Sequence, residues 1–286
     1  MILNVRDIPY HVAVDGDPAR EAAMVLLHGF SGSSQDWVPL TPRLRDAGRS
    51  VIAVDLMGHG KTGAPADPLR YTMAETVRDL DTILGDLGSE RPDWLGYSMG
   101  GRVALHMALS HPERVRSLVL ESTSLGIEDV HARARRRDAD DAFADRIEER
   151  GIEWFVEYWS TLPLFETQGE LPPATLAALR SRRMECLPAG LARSLRGMGQ
   201  GAHDYLGSRL GSLRCDVLLI AGELDLKYVD MARRTAEAVP GSACMIVPGA
   251  GHTVHLEALE AFADAIAAHW ITISEQNAEA SSRSYE

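Results

Sequence analysis

Ser98, Asp225 and His252 are the residues through which this chain could do chemistry. A serine hydroxyl is a weak base and a weak nucleophile until a histidine takes its proton, and the histidine needs a carboxylate to hold its tautomer. Ser98 sits in Gly96-Tyr97-Ser98-Met99-Gly100, after the short apolar run Pro92-Asp93-Trp94-Leu95 and before Gly100 to Leu109, which carries apolar residues at helical spacing. Strand, serine, helix reads as a nucleophile elbow, where small residues at 96 and 100 let strand and helix approach closely and leave the hydroxyl exposed. The alternative is a buried structural serine, and the strand-to-helix setting speaks against it. Asp225 ends Gly222-Glu223-Leu224-Asp225 after the apolar run 217–221, and His252 ends Gly249-Ala250-Gly251-His252 after the run 243–247. Both are therefore expected on loops at one sheet edge. The competing acid is Glu121, at the end of the strand after the elbow, and the competing base is His255, which reads as a structural residue at the start of the last helix.

Those loops need a sheet to hold them. Residues 1–14 alternate as an antiparallel hairpin, and 23–27, 51–56, 115–120, 217–221 and 243–247 read as buried strands. Helical patterns lie between them, over about 37–46, 71–87, 228–238 and 255–270. Strands alternating with helices predict an α/β fold with a mostly parallel central sheet flanked by helices. From about Ser124 to Leu206 only helical patterns occur, so the expected organisation is a core of 1–125 and 206–272, an inserted all-helical cap over 126–205, and a disordered tail over 273–286. A cap there would cover the carboxyl edge of the sheet, where ligands of open α/β sheets bind. The turn His28-Gly29-Phe30, after the first buried strand, is expected to supply the Phe30 N–H of an oxyanion hole, with the N–H of Met99 as the second donor.

With 45% hydrophobic and 24% charged residues the chain is globular, and at 286 residues it is long enough for a full core. The net charge of −12 makes nucleic acid and anionic membranes poor partners. No apolar run approaches the roughly 18 residues of a membrane span, and the first residues lack a signal-peptide pattern, so a cytoplasmic location is expected. Assembly is left open between a monomer and a small homo-oligomer. Cys186, Cys215 and Cys244 share no metal-ligand spacing, and Cys215 and Cys244 read as core packing. Gly197-Met198-Gly199-Gln200-Gly201-Ala202 follows a helical segment rather than a strand and is not read as a nucleotide loop. No metal site is expected, since the histidines include no His-Glu-x-x-His. The run Arg133, Arg135, Arg136, Arg137 followed by Asp138, Asp140 and Asp141 reads mostly as a solvated helix face with i,i+4 pairs.

From residue 23 to 271 the chain resembles the α/β-hydrolase superfamily, and within it the 2-succinyl-6-hydroxy-2,4-cyclohexadiene-1-carboxylate synthases of menaquinone biosynthesis. The general motifs are LHGFSGS at 27–33, VDLMGHGKT at 54–62 and GYSMGGRVAL at 96–105; the discriminating ones are LESTSLGI at 120–127, EYWSTLPLF at 157–165, GLARSLRGMG at 190–199 and GELDLKY at 222–228. The resemblance implies a lyase that needs no cofactor: a Ser-His-Asp triad removes a ring proton and pyruvate leaves from an enolpyruvyl ether. It also implies a substrate with three carboxylates, bound by Arg102, Arg136 and Arg180 together with Tyr97 and Trp159. Arginine suits that task because its planar fork binds carboxylate bidentately, although with 27 Arg against two Lys the abundance of arginine discriminates nothing. The chain departs from the family pattern at Gly201-Ala202-His203-Asp204, where a Gln is expected. A hydrolase of esters or carbon–carbon bonds is the second reading, because fold alone does not set chemistry. A non-catalytic small-molecule receptor is the third, and the full set of Ser, Asp, His and both oxyanion turns argues against it.

Overall fold

The computed structural model describes the backbone of residues 1–283 and side chains through residue 272. Apolar residues run without interruption through the central strands, and in parallel sheets such runs are buried on both faces. The chain opens with the hairpin β1 (Ile2–Val5) and β2 (Ile8–Asp15), followed by β3 (Ala22–Leu27), α1 (Thr41–Asp46) and β4 (Arg49–Val54). Then come α2 (Met73–Asp86), β5 (Asp93–Tyr97), α3 (Met99–Ser110) and β6 (Ser117–Glu121). Three helices follow without a strand, α4 (Val130–Ser160), α5 (Pro173–Met184) and α6 (Pro188–Met198); we call this segment the cap. The core resumes with β7 (Asp216–Gly222), α7 (Leu226–Ala238), β8 (Ala243–Val247), α8 (Val254–Glu257) and α9 (Leu259–Arg283).

The eight strands lie in the order β1-β2-β4-β3-β5-β6-β7-β8. Only β1–β2 and β2–β4 pair antiparallel, and the other pairs are parallel. The registers Leu27↔Gly96, Tyr97↔Glu121 and Gly222↔Val247 bring the carboxyl ends of β3, β5, β6, β7 and β8 to one edge. Side chains alternate across the sheet: Val25 and Leu27 pack with residues of α2, α3 and α7, while Met24 and Leu26 pack with Trp37, Leu44, Phe262 and Ile266. The cap has a small core of its own, built from Ala144, Ile147, Phe155, Val156, Cys186, Leu191, Ala192 and Leu195.

Several elements differ from the sequence reading. The helix expected over 37–46 is a 3₁₀ turn at Ser34–Trp37 and then α1, because Pro39 and Pro42 lack the N–H that a continuous helix would use. The last helix breaks at Ala258 (φ −144°, ψ 56°) into α8 and α9. Instead of a disordered tail, the backbone stays helical through Arg283, in a stretch with no Gly or Pro to stop it; residues 284–286 of the expected tail lie outside the described residues. Cys244 is exposed, because β8 is an edge strand with one uncovered side, and Cys215, just before β7, is partly buried against the core. Gly151 (φ 81°) interrupts α4 and lets its two halves take different directions.

Burial also creates a pH window. His106 and His203 pack ring to ring at 5.2 Å, and desolvation first, then neighbouring cations, lowers them from 6.5 to about 3 and about 4. The unfolded chain takes up protons below about pH 6.5, where the folded protein does not, so stability falls with pH through that interval. Melting temperature should therefore drop between about pH 6.5 and about pH 4, and His106→Gln should flatten part of that slope; a slope unchanged by the substitution would remove His106 from the account.

Candidate active site

The elbow folds as it does because Gly96 and Gly100 leave no room for anything else. A Cβ on Gly96 would collide with the Gly100 carbonyl, and one on Gly100 with the carbonyl of Leu27. Ser98 takes φ 51° and ψ −104° between β5 and α3, a region that non-glycine residues avoid and that recurs at functional turns. Its amide donates to Glu121 O at 2.9 Å, which ties the strained turn to β6.

Asp225 and His252 come from the ends of β7 and β8, and their loops are stitched together. Glu223 N donates to Val247 O and Leu224 N to Ala250 O, both at 2.9 Å. His252 Nδ1 lies 2.6 Å from Asp225 Oδ2, and Nε2 lies 3.2 Å from Ser98 Oγ. With Nδ1–H donating to the carboxylate, Nε2 is left as the acceptor for the serine O–H. Asp225 and His252 are buried, while Ser98 keeps partial exposure. The competing pair, Glu121 and His255, is assembled elsewhere. His255 Nδ1 lies 2.8 Å from Glu121 Oε2 in the core, and its ring packs on Trp37 and Tyr97 at 4.6 and 5.0 Å.

One residue of this loop escapes sequence reasoning. The Glu257 carboxylate accepts from Gly251 N at 2.6 Å and from Thr253 N at 3.0 Å, the two amides that flank His252. A lone Glu in an apolar helix start carries no sequence signal for such a clamp. Glu257→Ala leaves both amides without an acceptor and should lower kcat by about tenfold or more, since misplacing a catalytic group costs that much, with KM little changed; an unaltered kcat would show the loop is held without it.

Phe30 and Met99 both line the pocket in front of Ser98. Met99 is the first residue of α3, so no helical carbonyl reaches its amide. The Phe30 amide has no backbone acceptor among the described residues. The turn that holds Phe30 is braced by His28, which donates from Nδ1 to Gly29 O at 2.7 Å and accepts at Nε2 from Leu56 N at 2.9 Å. Asp55 adds a second brace by accepting from Ser34 N at 2.6 Å and Lys61 N at 2.9 Å.

The pocket, about 90 Å³, is closed on its far side by the cap. Tyr97, Arg102, Arg136 and Trp159 line it, as the resemblance implies, and so do Phe165, Met198, Gln200 and Tyr228, which sequence reasoning passed over. Arg102 is 5% exposed and donates from Nη2 to Met198 O at 2.8 Å, while its Nε has no partner among the described residues. Burial lowers its pKa to about 10, so at neutral pH it remains a cation in a low-dielectric site. Trp159 likewise holds a buried Nε1–H without an acceptor among the described residues. Arg136 pairs with Asp140 at 2.7 Å, and its Nη1 reaches Gln200 Oε1 at 3.5 Å. Within the glycine-rich turn, Gln200 donates to Tyr228 OH at 3.1 Å. Tyr228 packs its ring on His252 at 4.6 Å.

Arg180 is not brought to this pocket. The inner face of α5 is Leu176, Leu179 and Arg183, and Arg180 falls on the outer face, exposed and without a polar partner among the described residues. Its neighbours in type also depart from expectation: Arg133 donates to Ile127 O at 3.0 Å and Arg137 to Gly201 O at 3.1 Å. Among the described residues only Arg136 of that run makes an i,i+4 pair, because the carbonyls of Ile127, before α4, and of Gly201, in the turn after α6, take up Arg133 and Arg137. Among the described residues no group of three or more His, Cys, Asp or Glu is placed to hold a metal, and no helix is long and apolar enough to cross a membrane.

Residues 22–259 match the family model described as the alpha/beta hydrolase fold. The chain is 42% identical over 250 residues to a Bacillus subtilis (strain 168) protein provisionally named a 2-succinyl-6-hydroxy-2,4-cyclohexadiene-1-carboxylate synthase, a match covering 87% of this chain and 90% of that one. It is 29% identical to the synthase of the same name from Salmonella heidelberg (strain SL476), over 93% of this chain and 98% of that protein. The solved structure of MenH from S. aureus superposes with a TM-score of 0.86 at 34% identity, covering 91% of this chain and 97% of that one. The chain belongs to the α/β-hydrolase fold family and, within it, to the 2-succinyl-6-hydroxy-2,4-cyclohexadiene-1-carboxylate synthases.

Proposed function

We propose that this protein is a carbon–oxygen lyase that eliminates pyruvate from 2-succinyl-5-enolpyruvyl-6-hydroxy-3-cyclohexene-1-carboxylate to give 2-succinyl-6-hydroxy-2,4-cyclohexadiene-1-carboxylate. One observation carries the reading: a serine bonded to a His–Asp pair shares its pocket with a buried arginine whose Nε lacks a partner. A buried cation with a free donor is suited to an anionic substrate. Ser98 acts as the base. Its hydroxyl proton passes to His252 Nε2 as Oγ takes the ring proton, and the C–H electron pair forms the new double bond. The carbon–oxygen bond breaks with its electron pair leaving on oxygen as the enolate of pyruvate, which takes up a proton and so returns His252 to its neutral form. Asp225 holds the imidazole and stabilises its charged form. The amides of Phe30 and Met99 stabilise negative charge that develops on the substrate. Arg102 and Arg136 hold carboxylates, and Tyr97 and Trp159 shape the pocket around the ring. A cytoplasmic site of action and a small polycarboxylate as partner belong to the same proposal.

The direct test is to incubate the protein with the enolpyruvyl precursor and follow pyruvate; absence of release at saturating substrate would overturn the reading. The second reading, an ester or carbon–carbon hydrolase, draws on the same elbow. It predicts turnover of simple aryl esters, whereas the lyase should process them slowly or not at all, since they offer no carboxylate for remote binding. Neutral esters turned over with an efficiency near that of the precursor would favour the hydrolase.

A further inference from the structure

Arg183, in the last turn of α5, is 6% exposed, and no carboxylate among the described residues lies within ion-pair distance of it. Its polar contacts are long and neutral, Nη1 to Ser160 Oγ at 3.4 Å and Nη2 to Gln168 Oε1 at 3.3 Å. The nearby Asp36 carboxylate is already engaged, by Arg182 Nε at 2.9 Å and Ser33 N at 3.1 Å. Glu121 is spent on His255. Arg183 is thus a buried cation with no ion-pair partner of its own among the described residues. A guanidinium cannot shed its proton to escape burial as a lysine can, and desolvation is the largest influence on Arg183.

Beside Arg183 lies a cavity of about 20 Å³, whose lining includes Gln168, Tyr97, Thr253 and His255. That is room for one water-sized occupant. The groups facing it are rich in donors. Gln168 Nε2 gives one hydrogen to Thr253 Oγ1 at 2.7 Å and keeps a second. Tyr97 OH and Thr253 Oγ1, 3.4 Å apart, can share only one of their two hydroxyl protons with each other. Asp36 reaches the lining too; its Oδ2 accepts from Ser33 N, while its Oδ1 lies 2.9 Å from Arg182 Nε as an ion pair without a hydrogen bond among the described residues.

We propose that this cavity is an anion site, in which Arg183, Gln168 and the Tyr97–Thr253 hydroxyls hold a halide-sized anion or one oxygen of a carboxylate. Its position makes it consequential. Thr253 follows His252 and Tyr97 precedes Ser98, while Arg183 and Gln168 belong to the cap, so an anion there links the cap to both catalytic loops. Arg183 takes over a cationic role that the sequence reading gave to Arg180, three residues away and on the outer face. The anion could be free in solution or belong to the substrate; the latter case rests on the function proposed above.

The probe is bromide, against gluconate at equal ionic strength. A halide at about ten times its Kd should raise Tm by about 3 °C, and crystals grown in bromide should show an anomalous peak within hydrogen-bond distance of the Arg183 guanidinium. Arg183→Met should abolish the Tm response and Arg183→Lys should keep part of it. If the natural occupant is a free anion, bromide leaves KM unchanged and sustains kcat; if it is a substrate carboxylate, bromide competes and raises KM alone. Should Arg183→Met fail to fold, the wild-type titration and the anomalous map still decide. No halide-dependent Tm and only a water in the cavity would overturn the proposal, and neither readout depends on the enzyme's being a lyase.

Discussion

Ser98→Ala should lower pyruvate release by about 10²–10⁴-fold, the range a positioned proton-transfer group supplies, while the precursor still binds. The expectation follows from geometry: Ser98 Oγ is the atom that His252 Nε2 approaches, at 3.2 Å, at the mouth of the pocket. No other hydroxyl is bonded to that imidazole nitrogen among the described residues. Single-turnover pyruvate release and equilibrium binding of the precursor check the two halves separately. Asp225→Asn should fall in the same direction, because the amide turns the imidazole toward the wrong tautomer. During wild-type turnover no acyl-enzyme should accumulate, since an elimination needs only a proton acceptor. A covalent Ser98 adduct trapped and seen by mass spectrometry would sink the elimination and favour a hydrolase.

Arg102→Met should cost about 10–150-fold in kcat/KM, the equivalent of a charge-assisted hydrogen bond worth about 1.5–3 kcal/mol. Methionine keeps much of the packing volume, so the loss reports the charge and its donors. Because Arg102 also donates to Met198 O, the Tm of the variant has to be compared with the kinetic loss. Rescue by lysine should be partial, because lysine keeps the charge without the fork. Arg180→Ala is the contrast. An exposed arginine without a partner contributes roughly 0–1 kcal/mol at most, so its kinetics should stay near wild type. Equal losses at 102 and 180 would mean that diffuse charge, and not a buried donor, attracts the substrate.

The meeting of Ser98, Asp225 and His252 was legible because it is written in local order. Ser98, Asp225 and His252 each follow an apolar run, and a run of that kind ends at the sheet edge whatever the details of packing. The elbow needs glycines at 96 and 100 for contacts that lie within a few residues of the serine or in the adjacent strand, so the motif carries its own geometry. The choice of Asp225 over Glu121 came from its place on a loop directly after the 217–221 run, and Glu121 was free to serve the other histidine, His255. Arg102 came from the family resemblance, and the elbow then fixes its place, four residues past Ser98 on α3.

What lay beyond the sequence was the facing of side chains on the cap. The periodicity of 173–184 announces a helix, yet Arg180, Arg182 and Arg183 are equivalent to any pattern of type and spacing. Only packing against Phe165, Gln168 and the loop of Asp36 turns Arg183 inward and leaves Arg180 in solvent. The same holds for Glu257, whose carboxylate finds two amides only once α8 folds back on the His252 loop. Gln200 reaches Tyr228 across the join of cap and core, and no local pattern relates those positions. The alternation of strands and helices, the elbow, and the positions of Ser98, Asp225 and His252 after apolar runs follow from forces acting over short stretches of chain, and the sequence by itself determined them. The strand order came from the tertiary structure. Which cap residues meet the substrate is decided by long-range packing of one helix face over another, and only the tertiary structure could decide it.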